Sequence, residues 1–162
     1  MLSHESCGFI QASVDKVFAY IDDHTRLSAH MSKPSWKTGW SRINTELDES
    51  RGHTVGSRIR LAGRILGIRI SVEELVTERV PPHHKVWKTT GVPKLLVIGP
   101  YRMGFELSRQ GKGSMLRVFI DYALPEKAPQ RWLGCLFSRS YAKWCTQQMI
   151  KDTAKHFESR LT

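Results

Sequence analysis

The spacing of apolar residues changes period twice along the chain, and each stretch of constant period predicts an element. Ser6 to Ala12 alternates, carries Phe9 and Ile10, and stops at Ser13, whose hydroxyl is suited to accept an orphan N–H at a helix start. This predicts a first strand. Val14, Val17, Phe18 and Ile21 follow at i, i+3, i+4 and i+7, one apolar face of a short helix. Asp22 and Asp23 interrupt it. Leu27, His30 and Met31 then line one side of a second short helix, which must end before Pro34 because the residue preceding a proline is pushed out of helical conformation.

Between Trp36 and Leu124 the period is two, and turn-forming clusters recur at Glu49 to Gly52, Gly63 to Gly67, Pro81 and Pro82, Gly91 to Pro93, and Arg109 to Gly113. A meander of about six strands is expected. Ile59 and Leu61 alternate with Arg58 and Arg60; Ile68, Ile70 and Val72 with Arg69 and Ser71; Leu116, Val118, Ile120 and Tyr122 with Arg117, Phe119 and Asp121. One face of the sheet is therefore mostly apolar and the other largely charged. After Pro125 and Pro129 the period becomes helical. Trp132, Leu133, Leu136 and Phe137 open a broad apolar stripe that Tyr141, Cys145, Met149, Ile150, Ala154, Phe157 and Leu161 continue, with Arg139, Lys143, Gln147, Lys151 and Lys155 as a basic ridge opposite. The expected architecture is one α+β domain over residues 1–162, an antiparallel sheet packed on a long helix that begins between Pro129 and Tyr141 and ends near Leu161.

Composition narrows the class. The 162 residues are 40% hydrophobic and 25% charged, which excludes a disordered or fibrous chain. The net charge of +10 makes anionic partners plausible, but a basic total bears on solubility and association rather than on fold. Cys7, Cys135 and Cys145 are an odd number without a C-x-x-C pair, which disfavours a disulfide framework or structural zinc and fits a reducing cytoplasm. The opening MLSHES has neither the basic stretch nor the apolar core of a signal peptide. The densest apolar run, Leu95 to Ile98, is far shorter than the roughly 20 residues needed to span a bilayer.

Order and local sequence together resemble a known family. ASVDKVFAYIDD after the first strand, VGSRIRLAGRILG in the middle strands, the VTERVPPHHKVW turn and YAKWCTQQM in the last helix are similar to the START-related, polyketide cyclase-like superfamily, SRPBCC. The resemblance covers essentially the whole chain and extends to bacterial members described as cyclase/dehydrase or lipid-transport proteins. It implies the helix-grip fold: a curved antiparallel sheet of about seven strands, two short helices after the first strand, and a cavity between sheet and C-terminal helix. Members of such folds transfer lipids and sterols, sense hormones, cyclise aromatic polyketides and co-activate chaperones, so the fold does not select one activity.

Inward parity on strands and helix then proposes the cavity lining: Trp40, Ile59, Leu61, Ile70, Val72, Glu74, Trp87, Tyr101, Met103, Phe105, Val118, Ile120, Tyr122, Tyr141, Cys145 and Met149. Trp36 has the same character. For any one of these aromatic and Met residues ordinary core packing is the first reading and cavity lining the second, and Cys145 reads as a packed thiol. Glu74 stands apart, since alternation from Ile68 places its carboxyl on the apolar face, beside Tyr101 or Tyr122. Such a carboxyl would favour its neutral form and could serve as a general acid or anchor a polar ligand head. The first reading, however, is a one-residue bulge that returns Glu74 to solvent and turns Leu75 inward, and the inward carboxyl is the second. His30, near the expected mouth, reads first as a structural histidine and second as a base.

Other chemistry finds little support. The adjacent His83 and His84 have poor spacing for one ion, QGKGS lacks the full phosphate-loop spacing, and neither G-x-S-x-G nor G-x-G-x-x-G occurs, so no metal and no cofactor are expected. Arg42, Arg58, Arg60, Arg69, Lys88, Arg102 and Arg117 on the polar sheet face are opposed by Glu73, Glu106 and Asp121. That face reads as partly paired; an anionic membrane surface is the next partner, and nucleic acid is not expected because stacking aromatics and a reading motif are absent. The leading functional expectation is binding or transport of a hydrophobic or amphipathic small molecule. A cyclase or dehydratase using the same cavity is the alternative, and a membrane-surface or protein-partner adaptor comes third. The sequence does not fix an oligomeric state.

Overall fold

In the computed structural model, residues 1–29 and 42–161 are described; His30, Met31, Trp36 and Trp40 lie outside them. The elements run β1 (Leu2–Ile10), α1 (Val14–Ile21), α2 (His24–Leu27), β2 (Arg42–Leu47), β3 (Arg58–Ile65), β4 (Ile68–Val80), β5 (His84–Lys94), β6 (Tyr101–Gln110), β7 (Gly113–Tyr122) and α3 (Gln130–Glu158). The seven strands form one sheet in the order β1-β7-β6-β5-β4-β3-β2. Every pairing is antiparallel, and the first strand closes on the last, from Leu2 opposite Tyr122 to Ile10 opposite Ser114. This is the helix-grip arrangement, with α3 laid against β1 and β7 on the sheet's concave face.

Backbone pairing, rather than apolar content, sets several boundaries. β1 starts at Leu2 and stops at Ile10, earlier at both ends than its alternation suggests, because it follows β7 residue for residue. The Gly91 to Pro93 cluster lies inside β5, and the break falls after Lys94. Proline is tolerated there because β5 pairs with β6 only as far as Lys88, so its tail is an edge on that side. Ser13 occupies the N-cap position of α1 with extended backbone, but its side chain makes no capping bond; its carbonyl accepts from Val17 N–H at 3.0 Å.

The largest departure is in α3. Its buried residues begin with Gly134, Ser138, Ala142 and Cys145, whereas Trp132, Leu133, Leu136 and Phe137 are exposed. Size decides this. A Cβ on Gly134 would come within 2.7 Å of Pro125 Cδ, so the first turns touch the body of the protein through small residues. A side chain on Gly8 would likewise meet Ile150 Cγ2 at 2.3 Å, which fixes how closely α3 lies on β1. At the opposite end of the sheet α1 packs Phe18 edge-on against Phe105, their ring centroids 5.7 Å apart.

Candidate functional site

The site grows from the parity of β4. Ile70, Val72, Glu74 and Val76 are buried, and Glu73 points outward to Arg58 at 2.7 Å. β4 does carry an extra residue relative to β5, but between Val76 and Glu78, after Glu74. Glu74 therefore keeps the inward direction of Val72 and is only 2% exposed.

Two polar side chains converge on it. His24 Nε2 lies 2.7 Å from Glu74 Oε2, and the Tyr101 hydroxyl donates a short hydrogen bond to Oε1. Burial first, and then the adjacent Glu74 carboxylate, hold the Tyr101 proton well above the usual tyrosine range. Burial, followed by Cys145 and Glu74, raises Tyr141. Burial and Glu74 push the Cys145 thiol up to about 12. His24 is 2% exposed, stands edge-on to Trp87 at 4.9 Å between ring centroids, and its Nδ1 has no hydrogen-bond partner among the described residues. An imidazole nitrogen without a partner inside an apolar site is hydrogen-bonding capacity held ready.

A second polar cluster positions His24. Asp22, two residues earlier, accepts from Arg79 Nη2 at 2.8 Å, Lys85 Nζ at 3.1 Å and His53 Nδ1 at 2.7 Å. Lys85, fully buried, also donates to the Asp22 carbonyl at 2.7 Å. Burial alone would raise the Asp22 pKa; the Arg79 bonds, the Lys85 charge and the His53 bond outweigh it and hold the carboxyl far below the carboxylate range. Asp23 then starts α2 by accepting from Thr25 N–H at 3.0 Å. The α1–α2 junction is thus tied to β4 and β5, and His24 faces Glu74.

Around this trio lies a cavity of about 40 Å³. Of the residues that parity proposed, Leu61, Val72, Glu74, Trp87 and Tyr101 line it from the sheet, with Met103 and Ile120. Tyr141, Cys145 and Met149 line it from α3. Ile59, Ile70, Phe105, Val118 and Tyr122 are buried but do not line it, because parity fixes a face and not a position along the strand. Phe105 and its register partner Val118 lie at the end that α1 fills. Ile59 packs under the Gly52 turn, Ile70 lies toward the β3–β4 hairpin, and Tyr122 pairs with Leu2 and Tyr101. Parity missed His24, Leu27 and Ser28 on and after α2, and Leu95 and Ile98 in the β5–β6 connection, since none belongs to a strand or to the long helix. The Asp-Asp-His-Thr cap was the available signal for His24, and the dense Leu95 to Ile98 run that for the connection.

The outer face of the sheet is a lattice of ion pairs. Arg117 bonds Glu5 at 3.0 Å and Glu106 at 2.8 Å, and Arg102 reaches Glu78 at 3.2 Å and Asp121 at 3.6 Å.

The family model for polyketide cyclase / dehydrase and lipid transport matches residues 8–160. The chain belongs to this family. Its fold is that of an aromatase/cyclase from Streptomyces sp. R1128, with a TM-score of 0.74 over 99% of this chain and 96% of that one at 11% identity. Ara h 8.0201 superposes with a TM-score of 0.67, 14% identity and 98% of each chain covered. The di-domain aromatase/cyclase of the steffimycin biosynthetic pathway matches with a TM-score of 0.69 and 13% identity, covering 98% of this chain and 52% of that one. No curated protein sequence matches the chain. Family membership supports hydrophobic small-molecule binding or cyclase-type chemistry as the class of function. Among the described residues no helix is long and apolar enough to cross a membrane.

Proposed function

We propose that the chain binds a largely apolar small molecule whose hydroxyl or carbonyl group is held by Glu74, His24 and Tyr101. The carrying observation is a buried carboxylate engaged by two further polar groups in a mainly apolar cavity. A carboxylate has about four acceptor positions, so two contacts leave room for a ligand donor, and His24 Nδ1 offers another contact. The cavity is smaller than the roughly 300–1,000 Å³ of ordinary ligand pockets, so entry displaces side chains. Met103 and Met149, flexible and unbranched, are suited to yield.

A second reading, a cyclase or dehydratase, draws on the same cluster. With the His24 imidazole 2.7 Å from the Glu74 carboxylate, the pair can take a proton from an acidic C–H of the ligand, pass it across that contact and return it to the leaving hydroxyl, which departs as water as the C=C bond forms. Mass spectrometry of an organic extract of the purified protein tests both readings. A co-purifying hydrophobic molecule recovered unchanged after incubation supports binding. Loss of one water or closure of a ring on incubation, abolished by Glu74→Gln, supports the enzyme.

A further inference from the structure

We propose that the first turns of α3 form a docking face for an anionic lipid membrane. The proposal rests on the reading of the cavity as a site for a largely apolar small molecule and names where cargo would be exchanged. At about 100° per residue, Trp132, Leu133, Leu136 and Phe137 occupy one arc of α3, opposite the buried Gly134, Ser138 and Ala142. Trp132 is 74%, Leu136 70% and Phe137 53% exposed, a contiguous apolar surface on a chain otherwise rich in charge.

Charge selects the occupant. Lys127, Arg131, Arg139 and Lys143 are exposed around this surface, and Glu126 is the one acidic residue from 126 to 143. Tryptophan, leucine and phenylalanine bordered by basic residues is the composition that enters the headgroup boundary of an anionic bilayer. A second copy of the chain fits less well, since a two-fold contact through this face would oppose four cations with four. The arginines of the outer sheet face, Arg102 and Arg117, are already paired with carboxylates and compete less well for headgroups.

Position supports the same assignment. Gly134, on the inner side of these turns, backs onto Pro125 and the Val97 carbonyl, and the flanking Leu95 and Ile98 line the cavity, so the turns that carry the apolar face pack on a segment of the cavity's wall. The strand register puts the β3–β4 hairpin and the tail of β5 at this same end of the sheet, where Leu66, Ile68 and Val92 are exposed.

Sedimentation with vesicles of phosphatidylcholine, alone or mixed with phosphatidylglycerol, tests the proposal. Binding is expected on the mixed vesicles only and falls steeply with salt. Trp132→Ser with Phe137→Ser should weaken it at least tenfold. Arg131→Glu with Arg139→Glu should do the same, each basic residue near the surface contributing about fivefold. Brominated lipid should quench the wild-type fluorescence and quench Trp132→Phe much less. Affinity for 2-naphthol, measured on the same variants, reads the cavity separately. If 2-naphthol fails to bind while vesicle binding persists, the docking face stands and the cavity reading falls. Equal binding to both vesicle types, no vesicle binding by the wild type, or a dimer that Trp132→Ser dissolves would overturn the proposal.

Discussion

Replacing Asp22 by Asn removes one charge from the cluster that holds the α1–α2 junction against β4 and β5. The side chain keeps its shape, but Lys85, fully buried, loses the negative charge 3.1 Å away and keeps neutral acceptors, the residue-22 carbonyl at 2.7 Å among them. Breaking a buried ion pair from one side costs about 3–5 kcal/mol, because the remaining charge stays desolvated. With a urea slope of about 2 kcal/mol/M, the midpoint should drop by about 2 M. Lys85→Met removes the orphaned charge, so the double variant should lose less than the sum of the two single ones, with a coupling of about 1–3 kcal/mol. The pH dependence has a definite sign. The folded carboxyl titrates far below its unfolded value of about 3.9, so its stabilisation is fully present above that value and is lost as pH falls toward the folded pKa. The gap between wild type and Asp22→Asn should therefore close progressively below about pH 4. A loss under about 1 kcal/mol at neutral pH, additive with Lys85→Met and independent of pH, would refute the reasoning.

Two further outcomes follow from local geometry. Leu66 sits in the β3–β4 turn at φ 50°, a left-handed conformation that an L side chain adopts at a cost of about 1–2 kcal/mol, so Leu66→Asn should raise stability by about 1 kcal/mol in urea denaturation. At about pH 8, near the ordinary cysteine pKa, a thiol reagent should label exposed Cys7 and Cys135 in the native protein and reach Cys145, whose thiol is pushed up to about 12, only after unfolding; mass spectrometry of labelled peptides reads the difference.

The sheet was legible because its strands are amphipathic with period two, and Glu74 was legible for the same reason: one acidic side chain among Ile70, Val72 and Val76. Its partners were only half legible. Tyr101 begins a strand and follows parity, whereas His24 sits on a four-residue helix with no period to read, and it is brought to Glu74 by the Asp22, Arg79 and Lys85 cluster. A fully buried lysine in the polar-looking run His84 to Lys88 carries no hydropathy signal of its own. The first turns of α3 misled for the converse reason. Their large apolar residues form a helical stripe, but the contact there is too close for them, and Gly134 and Ser138 take the inner positions.

The central claim is that the trio around Glu74 recognises a polar group on an otherwise apolar ligand. Calorimetric or fluorescence titration with 2-naphthol and with naphthalene measures this most directly, because the two differ by one hydroxyl. A hydrogen bond to a buried carboxylate contributes about 1.5–3 kcal/mol, so the wild type should prefer 2-naphthol by about tenfold or more. Glu74→Gln leaves a neutral acceptor worth about 1 kcal/mol, and the preference should shrink to a few-fold with naphthalene affinity unchanged. Equal wild-type affinity for the two compounds, or a preference that Glu74→Gln leaves intact, would contradict the account.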